Sequence, residues 1–165
     1  MYKRQPFIRK AAGFGVASIK HDNERYEHKY EYCDLLITGS GPSGLASAYA
    51  AAKNGARVIL AEDKPRFGGS LLTSEANIGN QSGKEWTDNI VAELKEMPNV
   101  IVKNRAQVFG YYDHNMLVMS ERINDHLPKS KKYSPKQRLW YIRAKEVVIS
   151  SGSIAVSYTH LTLPT

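Results

Sequence analysis

The chain has 165 residues, an apolar fraction of 42% and a formal net charge of +7. No apolar run approaches the roughly 20 residues that a membrane helix needs, and no signal peptide is visible. The single cysteine, Cys33, precludes a disulfide framework and an all-cysteine metal site, and fits a reducing cytoplasm.

The basic residues are scattered, apart from a cluster at Lys129, Lys131, Lys132 and Lys136. No aromatic ladder or nucleic-acid motif accompanies them, so the charge reads as solvated surface and no nucleic-acid partner is expected. Both ends read as foreign. VSYTHLTLPT at 156–165 is the translation of GTC TCT TAT ACA CAT CTG ACG CTG CCG ACG, a transposon-end sequencing adapter. The reverse complement of that end gives MYKRQ, residues 1–5, with GTG as the start codon. Such stretches are set aside from fold reasoning. The natural part is then 6–155, expected to be a piece of a longer protein, and without Lys3 and Arg4 its charge is +5.

Residues 6–32 are polar and weakly patterned and read as a lead-in or linker. The domain proper is expected over 33–155. Its first element is a buried parallel strand at 34–38, a short apolar run ending at glycines. A helix is predicted over 42–54, where Leu45, Ala48, Tyr49 and Ala52 fall on one face and Gly55 sits at the stop. A second strand is expected at 57–61. Strand, helix and strand within so short a span make a right-handed βαβ unit.

Ser82 and Glu85 have capping-box spacing. Trp86, Ile90 and Leu94 behind them mark a second amphipathic helix to about residue 97. A third strand follows at 99–103. The period then changes, and 107–112, 115–120 and 138–143 read as a three-stranded antiparallel meander, with a tight turn at Asp113 and His114. Residues 125–137, with Pro128 and Pro135, read as an exposed loop. A fourth parallel strand at 146–150 runs into Ser151 and Gly152. The whole is an α/β, Rossmann-like FAD- or NAD(P)-binding domain with an added meander, a pattern analogous to flavoproteins that bind two dinucleotides.

The candidate binding site is Gly39-Ser40-Gly41-Pro42-Ser43-Gly44, a G-x-G-x-x-G element between strand and helix. Gly39 permits the sharp turn, Gly41 lets the backbone approach a pyrophosphate, and Gly44 lets the helix pack on the strand. The amides near Ser43 and Gly44 would face the phosphates with the positive end of the helix dipole. Glu62, 23 residues after Gly39, ends the second strand, where a carboxylate accepts hydrogen bonds from the adenosine ribose and disfavours NADP. Asp63 and Lys64 follow at the ribose edge. In Gly68-Gly69-Ser70 the paired glycines permit close approach to a diphosphate and Ser70 offers a hydroxyl donor. The backbone of Val108 is placed to meet the adenine edge. Either NAD or FAD satisfies these residues.

No catalytic constellation and no metal site is expected. His114 sits alone in a turn, His21, His28 and His126 are scattered, and Cys33 has no partner at redox spacing. The chain reads Ser70-Leu71-Leu72-Thr73 where disulfide reductases of this kind carry a cysteine pair, which excludes that chemistry.

PFIRKAAGFG at 6–15, RYEH at 25–28, Cys33-Asp34, the glycine motif, FGGSLL at 67–72, FGYYDHN at 109–115 and RLW at 138–140 together resemble the alpha subunit of heterotetrameric sarcosine oxidase. The resemblance implies a large cytoplasmic subunit with NAD on this domain, partnered by beta, gamma and delta subunits. Flavins would lie mainly with beta, and a tetrahydrofolate-binding domain downstream. It implies oxidation of sarcosine to glycine, transfer of the methyl carbon to tetrahydrofolate, and hydrogen peroxide as product. NAD contacts carry over to Ser43, Glu62, Asp63, Lys64, Ser70 and Val108. Ser150-Ser151-Gly152 stands where Ala-Thr-Gly is usual, and Ser43 where Ala is common. Two other classes stay open: a self-contained FAD-dependent, pyridine nucleotide-type reductase, and a scaffold whose nucleotide site is empty.

Overall fold

The computed structural model describes residues 8, 11–13, 19–75, 77–127 and 134–153. The readings for 1–5, for 156–165 and for Lys129, Lys131 and Lys132 lie outside the described residues.

Six strands form one sheet. β1 (Tyr26–Thr38) leads into helix α1 (Pro42–Lys53) and β2 (Val58–Ala61). A 3-10 turn (Gly69–Leu72) and a short hairpin, β3 (Asn77–Ile78) with β4 (Gln81–Ser82), precede helix α2 (Gly83–Glu96). β5 (Val100–Lys103), β6 (Ala106–Tyr112), β7 (Met116–Arg122) and β8 (Gln137–Ile149) complete it. The order across the sheet is β5-β2-β1-β8-β7-β6. The first three pairings are parallel and the last two antiparallel. This is the Rossmann-like α/β arrangement that the βαβ reading implies, with the meander fused to the parallel sheet.

The helices form where their sequences say. Pro42 begins α1, where its fixed φ suits a helix and its missing N–H costs nothing. Leu45, Ala48 and Ala52 are buried, and Tyr49 is half-buried beside them. α2 starts with a complete capping box: Ser82 Oγ accepts from Glu85 N, and the Glu85 carboxylate accepts from Ser82 N. Both helices pack on one face of the sheet, in a core with Ile37, Val58 and Leu60. On the other face Leu36, Ile59, Ala106, Leu117, Met119, Trp140 and Ile142 form a second core. The sheet curls around it, so that Ala106 N donates to Glu62 O at 2.8 Å and β6 returns to the end of β2.

Two expectations need correction. The strand read at 34–38 begins at Tyr26, so residues 26–32, read as lead-in, pair with β8. Alternating tyrosines and charges there look like loop composition, yet they alternate with a strand's period of two. The meander strand at 138–143 and the parallel strand at 146–150 are one strand, β8, with antiparallel β7 on one side and parallel β1 on the other. The polar run Arg143-Ala144-Lys145-Glu146 looks like a break. It contains no glycine or proline to make one, and three of its four side chains are exposed.

β1 changes face at Asp34. Asp34 N and Leu35 N both donate to Arg57 O, at 2.9 and 3.1 Å. Cys33 and Leu36, three residues apart, therefore share one core. The Asp34 carboxylate fixes this kink, accepting from Arg57 N at 2.9 Å, from the Arg57 guanidinium at 3.2 Å, and pairing with Lys145 Nζ at 2.8 Å.

Candidate functional site

The site lies where β1, α1 and β2 meet, at the carboxyl ends of the parallel strands. Gly39 turns the chain out of β1 with φ of +98°, and a Cβ there would fall 2.4 Å from Ser150 O. Ser150 holds the turn from beneath: its hydroxyl donates to Gly39 O at 2.9 Å and its N–H to Thr38 O at 2.8 Å. A Cβ on Gly44 would meet Gly39 O at 2.1 Å, so the first turn of α1 packs directly on the loop backbone. Gly41 differs from both. Its φ is −67° and an added Cβ would meet nothing within 4 Å. Two of the three glycines are required by the protein itself, and the third opens outward.

That opening fits a diphosphate. Gly41 is the N-cap of α1, no side chain caps the helix there, and its first turn holds no acid. Pro42 and Ser43 are exposed. The amides of Ser43 and Gly44 thus stand at a helix N-terminus without a side-chain acceptor, where the backbone dipoles favour an anion.

The second glycine pair abuts the first. Gly68 N donates to Ser40 O at 2.9 Å, and a Cβ on Gly69 would lie 2.9 Å from Gly41 Cα. Gly68 and Gly69 have φ of +118° and +53°, a region that glycine adopts without strain. Ser70 is exposed on this turn while Leu71 is buried beneath it. Ser70 thus lies on the exposed side of the turn that abuts Gly41.

Glu62 is 6% exposed and Ser40 fully buried. Glu62 Oε2 accepts from Ser40 N at 2.9 Å and from Ser40 Oγ at 2.5 Å, and Oε1 accepts from Lys64 N at 3.0 Å. Burial pushes the carboxyl of Glu62 up. Hydrogen bonds with Asp63 and Ser40 and from the amides of Lys64 and Ser40 outweigh it and hold Glu62 below the ordinary carboxylate range. Asp63 moves the other way, raised first by its hydrogen bond to Glu62 and then by desolvation. The side chains of Asp63 and Lys64 lie at the exposed rim. The Ser40 side chain, read from sequence as part of the nucleotide contact, points into the protein instead. An x position in a glycine motif carries no sequence signal for that role.

Val108, in β6, pairs with Met119 of β7, and its side chain packs against the second core. Arg122 N donates to Arg105 O, toward β7, whereas Ala106 N donates to Glu62 O, toward β2. By strand alternation the backbone polar groups of Val108 point to the same side as those of Ala106. All the sequence-derived site residues except Val108 thus gather on the two glycine turns and the end of β2, and Val108 lies two residues beyond the Ala106–Glu62 bond. A groove on α2 lined by Gln81, Trp86, Asn89 and Glu93 shares no residue with them.

Cys33 and the described histidines lie outside the glycine turns. Cys33 is buried, and desolvation first, then Asp34, pushes its thiol up to about 12. His114 stands in a left-handed turn, with φ of 58°, between β6 and β7. The described residues contain no helix long and apolar enough to cross a membrane.

A family model described as FAD dependent oxidoreductase matches residues 34–132, and the chain belongs to that family. Within it the chain is similar to sarcosine oxidase subunit alpha. It is 40% identical to that of Rhizobium meliloti (strain 1021) over 149 residues, 90% of this chain and 15% of the relative. It is 35% identical to that of Corynebacterium sp. (strain U-96) over 86% of this chain and 15% of the relative. The chain therefore spans about a seventh of these relatives' length. Among solved structures, L-proline dehydrogenase from P. horikoshii aligns with a TM-score of 0.59 at 20% identity, covering 86% of this chain and 26% of that one. That likeness bears on the fold alone.

Proposed function

We propose that this chain is the dinucleotide-binding part of a sarcosine oxidase alpha-type subunit and that it holds NAD. The observation that carries the reading is the outward-facing Gly41 at an uncapped helix N-terminus, next to an acidic ledge at the end of β2. The pyrophosphate would lie across Gly41, Ser43, Gly44, Gly69 and Ser70. The adenosine ribose would lie on Glu62, with Asp63 and Lys64 at its edge and the backbone of Val108 beside the adenine. A hydrogen bond to a charged acceptor such as Glu62 is worth roughly 1.5–3 kcal/mol, or about 10- to 100-fold in affinity.

A bound dinucleotide supplies two-electron redox chemistry, and the residues here bind and orient it. The oxidation of sarcosine to glycine, with transfer of the methyl carbon to tetrahydrofolate and release of hydrogen peroxide, would belong to the assembled complex. Its beta, gamma and delta subunits would carry flavins mainly at beta, in the cytoplasm. The relatives are named as subunits, which supports an assembly of this kind.

The match to a FAD dependent oxidoreductase model favours a second reading, in which FAD occupies the same cradle. Calorimetry on the full chain tests the shared core of both readings. Unmutated protein binds NAD or FAD, and Gly41→Val abolishes binding while the circular dichroism spectrum is unchanged. Retained binding in that variant would place the ligand elsewhere.

A further inference from the structure

We propose that Ser40 is a positioning residue that aims Glu62 at the nucleotide and locks the two glycine turns into one cradle. The proposal rests on the reading that Glu62 accepts from the adenosine ribose. Ser40 is fully buried, so it cannot touch a ligand itself, yet it makes more bonds within the site than any residue facing outward. Its N–H and hydroxyl both donate to Glu62 Oε2, and its carbonyl accepts from Gly68 N. A carboxylate has about four acceptor positions. Ser40 fills two, both on Oε2, and Lys64 N fills a third, on Oε1. One acceptor position of the four remains, on Oε1. A ribose hydroxyl would take that last position, so Ser40 decides which part of the carboxylate is left to present.

The same residue explains why the second glycine pair sits so close. Ser40 O draws in Gly68 N, and that brings Gly69 to within contact of Gly41, so that one wall of the phosphate site is built by the other turn. Without the Ser40 hydroxyl, Glu62 Oε2 keeps only the Ser40 amide as donor, and the terminal torsion of the carboxylate is held less tightly. Ligand atoms that reach Glu62 would then lose affinity, whereas ligand atoms that reach only the helix N-terminus would not.

The test compares NAD with its 2′-deoxyadenosine analogue by calorimetry on the full chain, unmutated and as Ser40→Ala. The near-isosteric Ser40→Cys, a weak donor, serves if the alanine variant does not fold. The unmutated chain should prefer NAD by about tenfold or more, the worth of one hydrogen bond to a charged acceptor. In Ser40→Ala, NAD should weaken about tenfold, the analogue should stay within about twofold, and the preference should vanish. Ser40→Cys should lie between. A preference that survives Ser40→Ala, or an equal loss for both ligands, overturns the positioning role and leaves the ribose reading standing. No preference in the unmutated chain overturns the ribose reading, and this proposal with it.

Discussion

A Cβ on Gly69 would lie 2.9 Å from the Cα of Gly41, so the two glycine turns touch backbone to backbone. The motif's glycines differ in what they serve. Gly39→Ala would place its Cβ 2.4 Å from Ser150 O at a left-handed φ, and Gly44→Ala 2.1 Å from Gly39 O. Each should cost about 3 kcal/mol of stability. Gly41→Ala meets nothing and should cost less than about 1 kcal/mol, chiefly through a poorer N-cap, while weakening nucleotide binding. Denaturant unfolding and calorimetry on the three variants separate the two effects. A stability loss at Gly41 as large as at Gly39 would refute the division.

The Glu121 side chain lies under Trp140. It accepts from Trp140 Nε1 at 2.7 Å and Arg138 Nη1 at 3.2 Å, and pairs with Lys103 Nζ at 3.0 Å. Glu121→Ala would strand the buried indole N–H and Lys103, while Arg138 keeps its pair with Glu27, at a cost of roughly 3 kcal/mol. Chemical unfolding followed by tryptophan fluorescence measures it, and a change within about 0.5 kcal/mol would show that the network contributes nothing.

Asp34 anchors the kink in β1. Its carboxyl is held well below the ordinary carboxylate range, first by the Arg57 guanidinium, then by Lys145 and the Arg57 amide. A depressed folded-state pKa gives stability that is fully present above the unfolded value, near 4, and is lost as pH falls below it. Asp34→Asn should therefore lower stability at neutral pH and flatten its decline between about pH 5 and 2. Melting temperatures across that range check this, and parallel curves for the two proteins would contradict it.

Glu62 and Asp63 place two carboxyl groups where the ribose would lie. A 2′-phosphate there would meet like charge. NADP should bind at least about tenfold more weakly than NAD, and Glu62→Ala should narrow the gap. Calorimetric titrations with both nucleotides decide it, equal affinities in the unmutated chain being the adverse result.

Much of this was legible in the sequence because the signals are local. The turn at Gly39, the helix start at Pro42 and the capping box of Ser82 and Glu85 each follow from residues within four positions of one another. What was not legible depends on distant pairing. Tyr26 to Tyr32 become strand only because β8 runs alongside, and Arg143 to Glu146 stay extended because β1 holds them. The inward role of Ser40 depends on Glu62, 22 residues away, and that of Asp34 on Lys145, more than a hundred away. Polar residues inside an apolar run, such as Asp34, were the one signal available, and its partner could not be read from spacing.

On the proposed function this chain binds a nucleotide and the partner subunits carry out the oxidation. The direct measurement is to prepare the complete alpha-type subunit alone, remove free ligands, denature it and identify what is released. The expected result is NAD, no stoichiometric FAD, and no sarcosine oxidation until partner subunits are added. Stoichiometric FAD that NADH bleaches in the isolated subunit would contradict it and establish the reductase reading.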